Sequence, residues 1–470
     1  MSAGPKQSVG LVLSRIASRA GDQRVAFLVA LGFFLTLQLW YGTPELRFDA
    51  AQYWELAGYI RRLHFPASIR GYLLPLLLAP AHALDTSLEM SGLWGFRLAS
   101  SAVYAWLLTG PLPNAFLVLQ GGQLSLARRL VAPVLLALVM PGVLLYPLSD
   151  LPSAVLAILG LSWILRSLAS GRVAFALAAG LALSAAYNIR TVYLLTLVAG
   201  GLLLVASHAS RHDAGTVCRA ALLFMLGAAC IALPQALINQ ATLGRFTPVV
   251  QVVDPDGRPL MAAQLRWGIT LQKYETTVRP NAPAPSVFYL DSAGVQLFQS
   301  AGVAYMPVTI GAYVQLVLAH PLDFAGLYAR HLVNALDVRD GRVYTTRDSR
   351  DRHGAALANA LLLLLGLASV LARAWRSQSL LSAARLAAIA ALLLPVAAIL
   401  PGAVETRFLL MVHLLLHASL ATGGSRSLWP AGSTARWMVL LSAAVCLVGM
   451  LAISTNTLSQ QAYEWSRAFR

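Results

Sequence analysis

Apolar stretches long enough to cross a bilayer recur from one end of this 470-residue chain to the other. A helix needs roughly 20 such residues to span the hydrocarbon. Backbone amides facing lipid must find their hydrogen bonds within the segment, which a helix does. The recurrence therefore predicts an all-α fold, a polytopic bundle of about eleven transmembrane helices. The spans fall at 25–41, 94–118, 130–148, 151–168, 173–188, 191–207, 220–238, 354–373, 380–400, 406–422 and 437–455. Only 11% of the residues are charged, against about 25% in a soluble domain. The length is thus read as one bundle rather than several soluble domains, and no solenoid repeat is present.

The net charge of +16 would suggest nucleic acid in a soluble protein. Here it follows the positive-inside rule. Every predicted inner turn holds at least two arginines: Arg128/Arg129, Arg166/Arg172, Arg211/Arg219, Arg373/Arg376/Arg385 and Arg426/Arg436. No basic run is interleaved with aromatics, which sets nucleic acid aside. Of the carboxylates, only Asp22 and Asp213 fall inside, so the rest equip the outer face for acid–base or cation chemistry. The basic stretch Met1–Arg24 precedes an apolar run with no small-x-small cleavage site, and reads as an uncleaved first span with a cytoplasmic N-terminus. Cys218, Cys230 and Cys446 have no metal-ligand spacing and are expected as small core residues.

Three parts follow. Residues 1–238 form an N-terminal core whose first outer segment is 41–92. Residues 239–353 form a long outer loop, and 354–470 a C-terminal helical part. In the first segment Asp49–Leu63 is amphipathic, and Gly71–Leu84 is apolar but short and holds two prolines; both are expected as helices along the interface. The long loop has turn-rich stretches at 254–257 and 280–283, then helical stretches near 308–319 and 321–337. The last places Phe324, Tyr328 and His331 on one face.

Four places can carry chemistry. Asp49 and Tyr53 share a helix face, although Asp49 with Gln52 also makes a capping-box pattern. Asp150 opens the fourth span, where Ser149 or Asp150 equally suits an N-cap. Arg190 enters the sixth span, where it can snorkel or hold a phosphate. Glu405 and Arg407 lie two residues apart and can simply pair, yet charges at a membrane edge are often functional. There is no P-loop, GxGxxG, HExxH or GxSxG motif, and no ionisable residue is placed in the middle of a predicted span.

Taken in order, these pieces resemble the C-type (GT-C) membrane glycosyltransferases, and among them the bacterial lipid A aminoarabinose transferases and protein O-mannosyltransferases. The likeness covers roughly residues 25–205 and 400–415: an acidic first outer loop, a Pro-containing juxtamembrane helix, Arg97 leading the second span, Asp150, Arg190 and Glu405-x-Arg407-Phe408. It departs from the pattern at Ala50, where an acid is common, and at Arg190, where aminoarabinose transferases have Lys. The resemblance implies an enzyme of the inner (plasma) membrane with an extracytoplasmic active site. Its donor would be a polyprenyl-phosphate sugar and its acceptor a lipid, glycan or protein, joined by a single inverting displacement. Asp49 would be the base, and Arg190 and Arg407 would hold the donor phosphate. Tyr53, Glu405, Arg330 and His331 would support them, with Arg339 a weaker candidate. Asp150 could orient the acceptor or Asp49, or join Asp49 in holding a divalent cation. The alternatives are an O-antigen-type polymerase or ligase, and a transporter or flippase.

Overall fold

The computed structural model describes residues 5–41, 45–89, 92–211, 213–253, 257, 259–278, 286–303, 306, 309–341, 344, 352–376, 383–422 and 433–462. Helix α1 (Pro5–Tyr41) is followed by the paired outer helices α2 (Phe48–Arg61) and α3 (Leu73–Ser87). Next come α4 (Trp94–Thr109) and α5 (Pro111–Gln120), together one long apolar span, then α6 (Leu126–Val139) and the single turn α7 (Gly142–Leu145). The spans α8 (Asp150–Ser170) and α9 (Ala174–Ile189) follow. A 3-10 turn (Thr191–Tyr193) leads into α10 (Leu194–Ala209), and α11 (Ala214–Leu243) closes the first part.

The loop folds as α12 (Leu260–Thr270), β1 (Leu271–Thr276), β2 (Ser286–Leu290), α13 (Ser292–Ser300), α14 (Ile310–Ala319) and α15 (Pro321–Leu336). The last part is α16 (His353–Arg376), α17 (Ala383–Ile399), a 3-10 turn (Thr406–Leu409) into α18 (Leu410–Thr422), α19 (Ser433–Ser459) and β3 (Gln461–Ala462).

Each expected span contains a helix, but the third, 130–148, breaks between α6 and α7 and is not helical at 146–148. Among the described residues seven helices, rather than the eleven expected, are long and apolar enough to cross a bilayer, or eight if the α14–α15 pair, bent by 110°, counts as one. Helices α6, α9, α17 and the Thr406–Thr422 run are shorter than a full span. For α6, α9 and the Thr406–Thr422 run one end is buried in protein, where other segments can satisfy the backbone that lipid could not.

The all-α expectation needs correcting: β1, β2 and β3 form an antiparallel sheet in that order. Tyr274 pairs with Phe288 and Glu275 with Val287, and β3 joins at Phe288↔Ala462. Aromatic and β-branched residues in both main strands suit a pleated surface. The turn expected at 280–283 and most of that at 254–257 lie outside the described residues.

Two further expectations fail. Cys218, Cys230 and Cys446 are free and exposed on α11 and α19, beside exposed Leu222, Met225, Leu233, Leu441 and Val445. In lipid the outside of a bundle is as apolar as its inside, so hydrophobic context does not mean core. His413 and His417 are ionisable residues buried within α18, one turn apart, with ring centroids 5.7 Å apart.

Candidate active site

Because the chain alternates direction, the starts of α2 and α8, the end of α9 and the turn before α18 meet at one end of the bundle. They bring Asp49, Asp150, Arg190, Glu405 and Arg407 together. Arg407 is at the centre. Its Nη2 lies 2.7 Å from Asp49 Oδ2, its Nη1 donates to Asp150 Oδ2 at 3.1 Å, and its Nε donates to Glu405 Oε2 at 2.6 Å. The other oxygen of Asp150 pairs with Arg190, and the other oxygen of Asp49 pairs with Arg70. The result is a ladder of alternating charge: Arg70, Asp49, Arg407, Asp150, Arg190. The planar guanidinium fork suits such shared, bidentate contacts. Counting Glu405, three carboxylates balance three cations, which a largely desolvated cluster requires. Aromatic rings close the flanks. Arg190 lies 4.8 Å from the Phe408 ring centroid, and Arg407 lies 5.0 Å from that of Tyr344.

Neither expected cap is made. The N-cap of α2 is Arg47 and that of α8 is Ser149, and neither offers a side-chain cap. Asp49 and Asp150 stand in the first turns, with their carboxylates drawn into the ladder. Gln52, the other half of the capping box, accepts from Arg70 Nε at 3.1 Å instead. Burial opposes ionisation of Asp49, but Arg70 and Arg407 outweigh it and hold its carboxyl well below the usual carboxylate range. Two non-glycine residues in the left-handed region flank the ladder, Phe48 (φ 47°) and Tyr344 (φ 46°). Such strain costs about 1–3 kcal/mol and gathers at functional sites.

Arg70 is absent from the residues that the sequence singled out. It stands between two outer helices, in a segment with no periodicity to mark it. Its place is set by the following residue. A Cβ on Gly71 would collide with the Asn188 carbonyl, so only glycine lets this turn approach the end of α9. Leu73 N–H then donates to Asn188 Oδ1 at 2.9 Å, and Asn188 Nδ2 to Gln235 at 2.9 Å. Tyr53 supports from below: its ring lies 5.3 Å under the Arg70 guanidinium and its hydroxyl donates to the Ile189 carbonyl at 3.3 Å.

The long loop reaches the ladder through a reciprocal clasp, also unread in the sequence. Glu405 Oε1 accepts from Thr276 N–H at 3.1 Å and from its hydroxyl at 2.7 Å. Glu275 Oε1 accepts from Thr406 N–H at 2.9 Å and from its hydroxyl. Between them Tyr274 N–H donates to the Val404 carbonyl at 2.9 Å. Lys273 Nζ stands 3.1 Å from both Glu275 and Asp340. Burial, with like charge from Asp340 and Glu405, pushes Glu275 up to about 7 despite Lys273. Burial likewise raises Glu405 above its ordinary value, against Arg407.

The structure holds Arg330 and His331 away from the ladder's contacts. Arg330 Nε pairs with Asp291 at 2.5 Å, and His331 stands between the Leu400 and Leu271 carbonyls at 2.8 and 2.9 Å. Arg339 binds His353 and Thr455. A divalent cation between Asp49 and Asp150 does not fit this arrangement, since all four carboxylate oxygens face guanidinium groups. Among the described residues no group of three or more His, Cys, Asp or Glu has ligand geometry.

No family model matches the chain, and no curated protein matches it. A solved structure that it is similar to is the archaeal oligosaccharyltransferase AglB from Archaeoglobus fulgidus, in complex with an inhibitory peptide and a dolichol-phosphate. The identity is 16% and the TM-score 0.45, over 93% of this chain and 56% of that one. This chain thus spans little more than half the length of that protein.

Proposed function

We propose that the protein is a membrane glycosyltransferase that moves a sugar from a polyprenyl-phosphate carrier to a lipid, glycan or protein acceptor on the extracytoplasmic face of the inner (plasma) membrane. The observation that supports this reading is the ladder itself: a carboxylate beside fixed cations, built from distant chain segments at one end of an apolar bundle. Asp49 takes the proton of the acceptor hydroxyl. The hydroxyl oxygen attacks the anomeric carbon, and the bond from that carbon to the carrier phosphate breaks with inversion. The phosphate leaves with the electron pair, and fixed positive charge stabilises it as the bond breaks.

Arg190 and Arg70, at the open side of the ladder, are assigned to that phosphate. Arg407 is more deeply buried and already shared by three carboxylates, so it is assigned to positioning them. Asp150 holds Arg190 and Arg407 in register. The test is sugar transfer by purified Asp49→Asn protein with a polyprenyl-phosphate sugar. A positioned base is worth about 10²–10⁴-fold, and a loss of that size is expected. Near-normal transfer returns Asp49 to a structural role. Protein-dependent translocation of the carrier without covalent transfer would favour the flippase reading instead.

A further inference from the structure

Arg70 has a second surface available to it besides Asp49. The same side chain lines an open cleft between the α2–α3 turn and the last turns of α11. Its walls mix apolar Leu56, Phe65 and Ile238 with polar Gln235, Asn239 and Thr242, and among the described residues Arg70 is the one charged side chain lining it. A cleft with apolar stretches in its walls and a single cation suits an amphiphile that carries one anion: chain along the walls, phosphate at the arginine. The two groups that hold Asp49 also differ in freedom. The Arg407 side chain is 4% exposed and held by two further carboxylates, whereas that of Arg70 is 24% exposed. Beyond Asp49, Arg70 has the Gln52 hydrogen bond and the Tyr53 ring.

We propose that Arg70 is a latch on Asp49, opened by the phosphate of a lipid whose chain lies in this cleft. The inference rests on the reading of Asp49 as proton acceptor. While the latch is closed, Asp49 Oδ1 is held by Arg70 and Oδ2 by Arg407. An acceptor hydroxyl then meets only oxygens already engaged by guanidinium groups, whose charge lowers their proton affinity. A phosphate at the inner end of the cleft offers Arg70 a planar pair of oxygens, which its fork matches. Arg70 turns to it and Oδ1 is released. Of the two guanidinium groups that pair with Asp49, one is drawn away and neutralised, while Arg407 remains. The carboxylate gains proton affinity when the donor is in place. Donor binding therefore precedes productive acceptor binding, and the base is idle in the empty enzyme.

The latch is read from the reactivity of Asp49 itself, without knowing the sugar or the acceptor. Protein in phosphatidylcholine nanodiscs is treated with a water-soluble carbodiimide and an amine at mildly acidic pH. Labelling of Asp49 is followed by peptide mass spectrometry, with exposed Asp323 as reference. Carbodiimides attack the protonated carboxyl, so labelling rises about tenfold for each pH unit by which proton affinity recovers. Polyprenyl phosphate is expected to raise Asp49 labelling at least that much, and inorganic phosphate at the same concentration is not. Arg70→Gln is expected to label fast without lipid. Arg70→Lys, which keeps the charge, is expected to stay slow until lipid is added, and it serves if the Gln variant does not fold. Binding of polyprenyl phosphate is measured in parallel by native mass spectrometry. Binding without a change at Asp49 overturns the latch and leaves the proposed function standing. Absence of binding overturns the donor reading and the latch with it. An equal response to inorganic phosphate removes the cleft from the inference.

Discussion

At Arg190 a single side chain closes one helix and serves two neighbours. It follows α9 in an extended conformation, pairs with Asp150 and lies over Phe408. If it also meets the carrier phosphate, Arg190→Ala removes a charge-assisted contact worth about 1.5–3 kcal/mol. Affinity for polyprenyl phosphate should fall about 10- to 100-fold. Arg190→Lys should recover part of it, because charge is kept while the fork is lost. Arg330→Ala, which breaks the Asp291 pair instead, should leave affinity unchanged. Equal affinity in wild type and the Arg190→Ala protein takes Arg190 out of the donor site. Asp49, Asp150, Arg190, Glu405 and Arg407 were legible in the sequence because each interrupts or borders an apolar run, where an ionised group is costly enough to notice. Arg70 sits among polar and turn-forming residues, where an arginine is unremarkable.

The element that couples the long loop to the ladder is β1, and the clasp makes its docking sensitive to pH. The Glu275 carboxyl titrates near 7 in the folded protein, above its ordinary 4.5. A raised value means that the folded state binds the proton more tightly. The stabilisation is therefore fully present below pH 4.5 and is lost as pH rises to 7. Asp49 acts in the opposite sense: its depressed value contributes stability above 3.8 that is lost on acidification. Hydrogen exchange of the β1 amides should show protection falling from pH 4.5 to 7. Glu275→Gln, a permanent copy of the neutral form, should flatten that slope. A slope unchanged in the variant assigns the effect to another group. Strand β1 went unread because its partners are β2 and a segment about 130 residues away. Its own six residues carry too little pattern to separate strand from loop.

For the whole molecule the decisive quantity is parity: which helix ends share a side. The ends that the threading placed together do meet, at the ladder and at the sheet, where β3 from the chain's end pairs with β2. Which side of the membrane that is can be read by labelling. With Cys218, Cys230 and Cys446 replaced by serine, single cysteines at Glu45 and Asp323 should react with a membrane-impermeant thiol reagent from outside, and one at Gln123 should not. Outside labelling at Gln123 reverses the orientation and moves the site to the cytoplasmic face.

The sequence by itself determined a polytopic helical bundle and where its apolar segments fall, though not how many of them are long enough to span. Those follow from local quantities: the length of an apolar run and the arginines that border it. Only the tertiary structure decided what each charge does. Asp49 and Arg407 are 358 positions apart, and nothing along the chain ties one to the other. Asp49 is a ladder carboxylate rather than a cap because the ends of α2, α8 and α9 converge on the turn before α18. Charges buried at such a junction must neutralise one another across whatever distance in sequence separates them.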